Sequence, residues 1–171
     1  CEMVSGARMF PLYCRIGGLA ADLPEGFMAA AWEFAKEFDK NWKDYDTLLT
    51  QNVIWKQRTV GVGTMSAAEA LDWGWSGPMA RGSGVDWDLR RDNPYSSYDE
   101  FEFEVPLGNG QGDTYSRYLV RMAEMLQSNR IIKQALEKIA KTEPGDIKCA
   151  DPRVSLPPKE KVYSDIASLI N

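Results

Sequence analysis

The stretch 113-DTYSRYLVRMAEMLQSNRIIKQALEKIAK-141 decides how the rest of the chain is read. Tyr115, Tyr118, Leu119, Met122, Leu126, Ile132, Leu136 and Ile139 recur three or four positions apart through most of it, which predicts a helix packed on a core. Asp113, directly after Gly112, is a suitable N-cap because its carboxylate can accept the first free backbone N–H groups. Lys138 and Lys141 lie at the negative end of the helix, before Glu143, Pro144 and Gly145. At ~1.5 Å per residue the rod is about 40 Å long, so the remaining segments are expected to pack against it. Arg117, Arg121 and Glu124 stack at i, i+4 and i+7 on the opposite face, with Arg130, Lys133 and Glu137 beyond them. They read as a solvated or locally paired surface.

Upstream, Phe101, Phe103 and Val105 alternate with Glu100, Glu102 and Glu104, predicting a half-buried strand closed by Pro106 and turned at Gly108-Asn109-Gly110. The three glutamates form its wet face, since no histidine completes a ligand set. From Trp73 to Arg91, glycines and tryptophans interleave, which favours a compact loop with its aromatics buried. Val60-Gly61-Val62-Gly63 lacks both the third glycine of a dinucleotide loop and the lysine of a P-loop. Ser66 with Glu69 forms a capping box for a short helix. Another helix begins at Pro24, with Phe27, Ala31, Phe34 and Phe38 on its buried face. Trp42, Tyr45, Leu48 and Leu49 predict a second, shorter helix antiparallel to it.

Met9 to Gly18 is expected to be an extended or looping segment closed by its double glycine. Residues 146–159, with Pro152, Pro157 and Pro158, should lead in extended form to a last helix over 159–171. The fold class is mainly α with a small β element (α+β), in one partial domain over residues 1–171 whose two ends read as cut.

Composition removes several classes of function. The 171 residues are 44% hydrophobic and carry a net charge of −5, so no basic field favours nucleic acid. There is no histidine, which removes the usual general base near neutral pH and the commonest metal ligand. Cys1, Cys14 and Cys149 are isolated, encoding neither a zinc site nor a disulfide framework, and a reducing compartment fits them. The longest apolar run, Phe27 to Trp32, is far too short to span a membrane.

Val4-Ser5-Gly6-Ala7-Arg8-Met9, Arg15-Ile16-Gly17-Gly18, Ser76-Gly77-Pro78-Met79-Ala80-Arg81, Ser83-Gly84-Val85-Asp86-Trp87-Asp88-Leu89-Arg90 and Gly112-Asp113-Thr114-Tyr115-Ser116-Arg117 follow one another in fixed order. In this the chain resembles the hydrogenase-like, quinone-site subunit of respiratory complex I, the NADH:quinone oxidoreductase, over the middle of a longer family chain. The resemblance implies a part of the nickel–iron hydrogenase large-subunit-like fold, with helices around one long central helix. It also implies a place in the peripheral arm, on the cytoplasmic side of a bacterial inner membrane or the matrix side of a mitochondrial one. The partners implied are the subunit holding the terminal iron–sulfur cluster, the membrane subunit below the quinone cavity, and quinone itself. The chain alone is expected to bind no cofactor or metal and to carry no catalytic residue, the family's quinone-headgroup histidine and tyrosine falling before Cys1.

Structural or interface positions implied in the same way are Arg8, Gly17, Gly18, Gly77, Arg81, Gly84, Trp87, Asp88, Arg90, Asp113, Arg117 and Arg121. Three residues depart from the family pattern: Ala80 replaces a usual leucine, Ser116 a frequent aspartate, and Phe10 a histidine close to the terminal cluster in many ubiquinone-reducing members. Loss of that histidine implies a cluster potential that is lower and nearly independent of pH, and a low-potential quinone such as menaquinone. A membrane-bound nickel–iron hydrogenase large subunit and a non-catalytic scaffold piece stand as alternatives.

Overall fold

The computed structural model describes residues 1–170 and divides them into two compact units, Ala31–Lys141 and a second formed by Cys1–Ala30 with the segment from Thr142 onward. In the smaller unit α1 (Glu2–Ser5) precedes a hairpin of β1 (Cys14–Arg15) and β2 (Gly18–Leu19), in which Cys14 faces Leu19 and Arg15 faces Gly18. The returning chain lies against β2: Leu19 N–H donates to Ile147 O at 2.9 Å, and Cys149 N–H donates to Gly17 O at 2.7 Å. Gly18, at φ 154°, is fixed by this approach, because a Cβ there would lie 2.2 Å from Ile147 O.

The sequence predicts one helix from Lys159 to Asn171, the last of which lies outside the described residues. Those described form two helices, α8 (Lys159–Ser164) and α9 (Ile166–Ile170). Asp165 is extended, and its carboxylate accepts from Ser168 N–H at 3.0 Å and Ser168 Oγ–H at 2.7 Å, so it starts a new helix and does not continue the old one.

The expected antiparallel pair is also absent. α2 (Phe27–Tyr45) is a single helix continued by a π-helical turn over Asp46–Thr50. Nothing between Phe38 and Trp42 breaks a helix, and the break comes at Asn52, whose side chain caps α3 (Val53–Thr59) by accepting from Trp55 N–H. α4 (Ala67–Asp72) carries the capping box of Ser66 and Glu69 as expected. It is followed by α5 (Gly77–Gly82), α6 (Leu89–Asp92), a 3₁₀ turn over Tyr98–Glu100 and α7 (Thr114–Ile139).

α7 is the predicted long helix, and Asp113 is its N-cap. Its buried set is more polar than the apolar stripe foretold: Ser116, Arg117 and Asn129 are inside with Val120, Met122 and Leu136, while Ile132 and Ile139 are exposed. Polar anchors align α2 along it. Trp42 Nε1–H donates to Met122 O at 2.9 Å, Asn129 Nδ2 donates to Ala35 O at 2.9 Å and Asp39 Oδ1 at 2.7 Å, and Lys133 Nζ lies 2.5 Å from Asp39 Oδ2. The end of the π turn is held as well, since Tyr115 O–H donates to Thr50 O at 2.7 Å.

The strand expected over Phe101 to Val105 does not form. The alternation itself is present, with Phe101, Phe103 and Val105 half-buried and Glu102 and Glu104 exposed, but no second strand pairs with the segment. Side-chain amides of α7 take the place of a partner: Gln134 Oε1 accepts from Glu102 N–H at 2.8 Å, Gln134 Nε2 donates to Glu102 O at 2.7 Å, and Gln127 Oε1 accepts from Glu104 N–H at 3.1 Å. The β element among the described residues is the hairpin at 14–19. No helix among the described residues is long and apolar enough to cross a membrane.

Candidate functional site

The interior of the larger unit is organised by arginines. α5 delivers Arg81, and it can do so because Gly82 lets the helix touch α7: a Cβ there would sit 2.5 Å from Arg117 Cγ and 3.2 Å from Arg117 Cα. Arg81 is 3% exposed. Its Nη1 lies 3.0 Å from Asp88 Oδ2 and 3.2 Å from Trp87 O, and its Nη2 bonds to Glu124 of α7. Asp88 is also the N-cap of α6, accepting from Arg90 N–H at 2.9 Å. The Arg90 guanidinium grips the same carboxylate, Nη2 to Oδ2 at 2.7 Å and Nε to Oδ1 at 3.0 Å, and stacks 5.1 Å from the Phe103 ring.

Two cations and two carboxylates therefore balance inside the protein. Burial works against the charged form of Asp88, but the hydrogen bonds and charge of Arg90, with the charge of Arg81, outweigh it and hold the carboxyl below its ordinary range. The bond to Asp88 in turn holds Arg90 above its ordinary value. Each of the four side chains has an ion-pair partner within the cluster.

A second node closes the start of α7. Asp113 is 1% exposed and accepts from Ser116 N–H and Ser116 Oγ–H, each at 2.7 Å, and from Gly61 N–H at 2.8 Å. Burial opposes its ionisation, yet these bonds and the nearby charge of Arg117 keep its carboxyl below the ordinary range. Arg117 donates to Gly112 O at 2.6 Å and Gly63 O at 2.9 Å, and lies 5.7 Å from the Trp75 ring. The glycine loop at 60–63 thus clasps a helix start already filled by the protein's own carboxylate, and Arg117 is buried, contrary to the solvated face expected of it. Arg121, one turn on, is exposed and donates to Arg117 O at 3.2 Å.

The expected positions thus separate. Arg81, Trp87, Asp88 and Arg90 meet in the charge cluster, and Asp113 and Arg117 meet at the helix start. Gly77 opens α5, and Gly84 follows that helix with φ 87°. Trp87 and Trp73 are exposed, so the loop buries its tryptophans less than foreseen. Ala80 and Ser116 lie fully inside. Gly17 and Gly18 shape the hairpin of the smaller unit, where Arg8 is exposed and Phe10 is 81% exposed at φ 53°.

Sequence reasoning missed Asn129 and the distant partner of Glu124. Asn129 was detectable, since it falls midway between Met122 and Leu136 at seven-residue spacing on the buried stripe. Between α2 and α7 lies a groove of about 390 Å³ with Phe34, Phe38, Met125 and Ile132 in its wall. Among the described residues no three His, Cys, Asp or Glu side chains come together as a metal site.

The chain is 54% identical to the D subunit of the NADH-quinone oxidoreductase of Rhodospirillum centenum over 170 residues, 99% of this chain and 42% of that protein. It is 51% identical to the protein of the same name from Geotalea uraniireducens and 49% identical to that from Rickettsia conorii, again over 99% of its own length. It spans 42–43% of the length of these relatives. Residues 1–171 match the family described as respiratory-chain NADH dehydrogenase, 49 Kd subunit, and the chain belongs to that family.

Proposed function

We propose that this chain is the central stretch of the quinone-site subunit of an NADH:quinone oxidoreductase, within a hydrogenase large-subunit-like fold. The observation that carries the reading is the family match across all of residues 1–171, joined by relatives whose name specifies NADH and quinone. In this reading the two arginine nodes keep the subunit rigid, and the chemistry belongs to the assembly. Quinone and a terminal iron–sulfur cluster are held with neighbouring subunits of a peripheral arm, and the reduction is coupled to proton translocation.

The test uses the full-length protein in its own cells. A tagged copy is expected to purify in an assembly that oxidises NADH with quinone, and a strain without the gene should lose that activity while keeping NADH oxidation by a small soluble acceptor. Nickel with hydrogen-dependent reduction in the purified assembly would transfer the chain to the hydrogenases. Unchanged NADH:quinone activity in the deletion strain would leave it a scaffold.

Phe10 extends this reading. An exposed phenyl ring offers no proton acceptor to a neighbouring cluster, so the cluster midpoint in the whole complex is expected to stay level across neutral pH and to suit a low-potential quinone. Phe10→His should introduce a fall of the midpoint with rising pH. A steady fall already present in the unaltered complex refutes this part alone.

A further inference from the structure

We propose that the smaller unit carries a binding site for a phosphate-bearing anion, formed by Arg15, Lys148, Lys159 and Lys161 around one open cavity. The proposal goes beyond the quinone-site reading and does not rest on it. The cavity measures about 840 Å³, and no carboxylate is among the residues that line it. In a chain whose net charge is −5, four cations around one cavity without a lining acid are a local reversal of charge.

Backbone geometry brings these cations together. Arg15 faces Gly18 in the hairpin, and Gly18 bridges to Lys148 on its other side. Lys159 and Lys161 come from α8, which Pro157 and Pro158 lead back to the same cavity.

Two nearby acids, Asp151 and Asp165, are engaged by other groups, and Glu160, between Lys159 and Lys161 on α8, lies outside the lining. Asp151 is held by the Arg153 guanidinium at 2.7 and 3.1 Å, and Arg153 is not in the lining. Asp165 accepts from Ser168 N–H at 3.0 Å and Ser168 Oγ–H at 2.7 Å. The remaining wall is apolar except for Ser155 and Ser168, and it includes the exposed Ile16 and Leu156. Cations and apolar surface around one cavity match a phosphate joined to an apolar body, and the volume exceeds what inorganic phosphate alone would fill. An acidic phospholipid headgroup and a soluble organic phosphate share this chemistry.

The experiment is pulse acetylation of lysines in the intact purified complex, read by peptide mapping, with the exposed Lys36 and Lys40 of the larger unit as controls. Phosphatidylglycerol in detergent micelles, phosphatidylcholine in the same micelles and inorganic pyrophosphate are the probes. At about four times the dissociation constant, occupancy should slow labelling of Lys148, Lys159 and Lys161 about fivefold, with Lys36 and Lys40 unchanged. Protection by phosphatidylglycerol but not phosphatidylcholine or pyrophosphate identifies a lipid headgroup, and protection by pyrophosphate identifies a soluble phosphate.

Arg15→Gln should abolish the protection at Lys159. The proposal is overturned if neither phosphate probe protects the three lysines more than it protects Lys36 and Lys40. It is overturned equally if Arg15→Gln leaves protection intact, or if the three lysines are already unreactive in the untreated complex. NADH:quinone activity measured on the same samples keeps failure of this site distinct from failure of the functional reading.

Discussion

Arg81 Nη1 stands 3.0 Å from Asp88 Oδ2, with both side chains 4% exposed, and the same guanidinium reaches Glu124 on α7. One arginine therefore ties the α5–α6 segment to the long helix. Arg81→Met would leave Glu124 without its cation and Asp88 with Arg90 alone. Because it strands buried charge, the substitution should cost about 3–5 kcal/mol, read as a lower unfolding midpoint of the full-length protein. Arg91→Met, which removes pairs to Asp86 and Asp92 at the surface, serves as a near-neutral comparison. Equal effects of the two changes would show that burial of the Arg81 cluster contributes nothing special.

Asp113 links stability to pH. Its carboxyl lies below the ordinary range in the folded protein because Gly61, Ser116 and Arg117 outweigh its burial. A depressed folded pKa contributes stability that is complete above the unfolded value and is lost as pH falls through the folded one. Asp113→Ala should cost about 1–2 kcal/mol near neutral pH, the usual worth of such a cap, and flatten the loss of stability on acidification. Unfolding midpoints taken from about pH 7 to about pH 2 measure both effects, since the folded carboxyl lies below the ordinary value of about 3.9. An acid limb equally steep in the variant would place the sensitivity elsewhere, with Asp88 the next group to test.

The long helix and its cap were legible because helical spacing and an N-cap are local signals, and the structure keeps Asp113 and α7 where the sequence put them. The same local logic failed at residues 101–105. Alternation reports which side chains face inward, and it does so there, but it cannot report whether a second strand or a row of glutamines satisfies the backbone. Arg117 was misplaced for a related reason. Charge alone suggests a wet face, whereas the carbonyls of Gly63 and Gly112 that make its burial tolerable come from outside the helix. The motif wording placed the chain in its family, while no spacing rule foretold that Arg81, Asp88, Arg90 and Glu124 would share one site.

Gln134 gives the pseudo-strand its own test. It bonds both the N–H and the carbonyl of Glu102, so Gln134→Leu removes two hydrogen bonds from a segment at the surface. The loss should be about 0.5–1.5 kcal/mol, small because water replaces part of it. Hydrogen exchange gives a sharper signal: the Glu102 amide should exchange much faster, and the Glu104 amide, held by Gln127, should change less. An unchanged Glu102 amide would mean that the half-buried Phe101 and Phe103, and not the glutamine, hold the segment.

Gly18 tests how the smaller unit is held together. Any side chain there meets Ile147 O at 2.2 Å and Lys148 Cα at 2.8 Å, both backbone atoms that no rotamer change can clear. Its φ of 154° adds strain for an L residue. In Gly18→Ala the segment at 147–149 must move off β2, breaking the bonds from Leu19 N–H to Ile147 O and from Cys149 N–H to Gly17 O. The change should destabilise by more than about 1 kcal/mol and speed limited proteolysis after Lys148 and Arg153 in the full-length protein. Gly145→Ala, where an added Cβ meets nothing within 4 Å, should leave cleavage unchanged. The same displacement would carry Lys148 away from Arg15, so Gly18→Ala should also weaken any phosphate protection of Lys148. If proteolysis at both sites were as slow as in the unaltered protein, the three-stranded contact at Gly18 would not be what holds this segment in place.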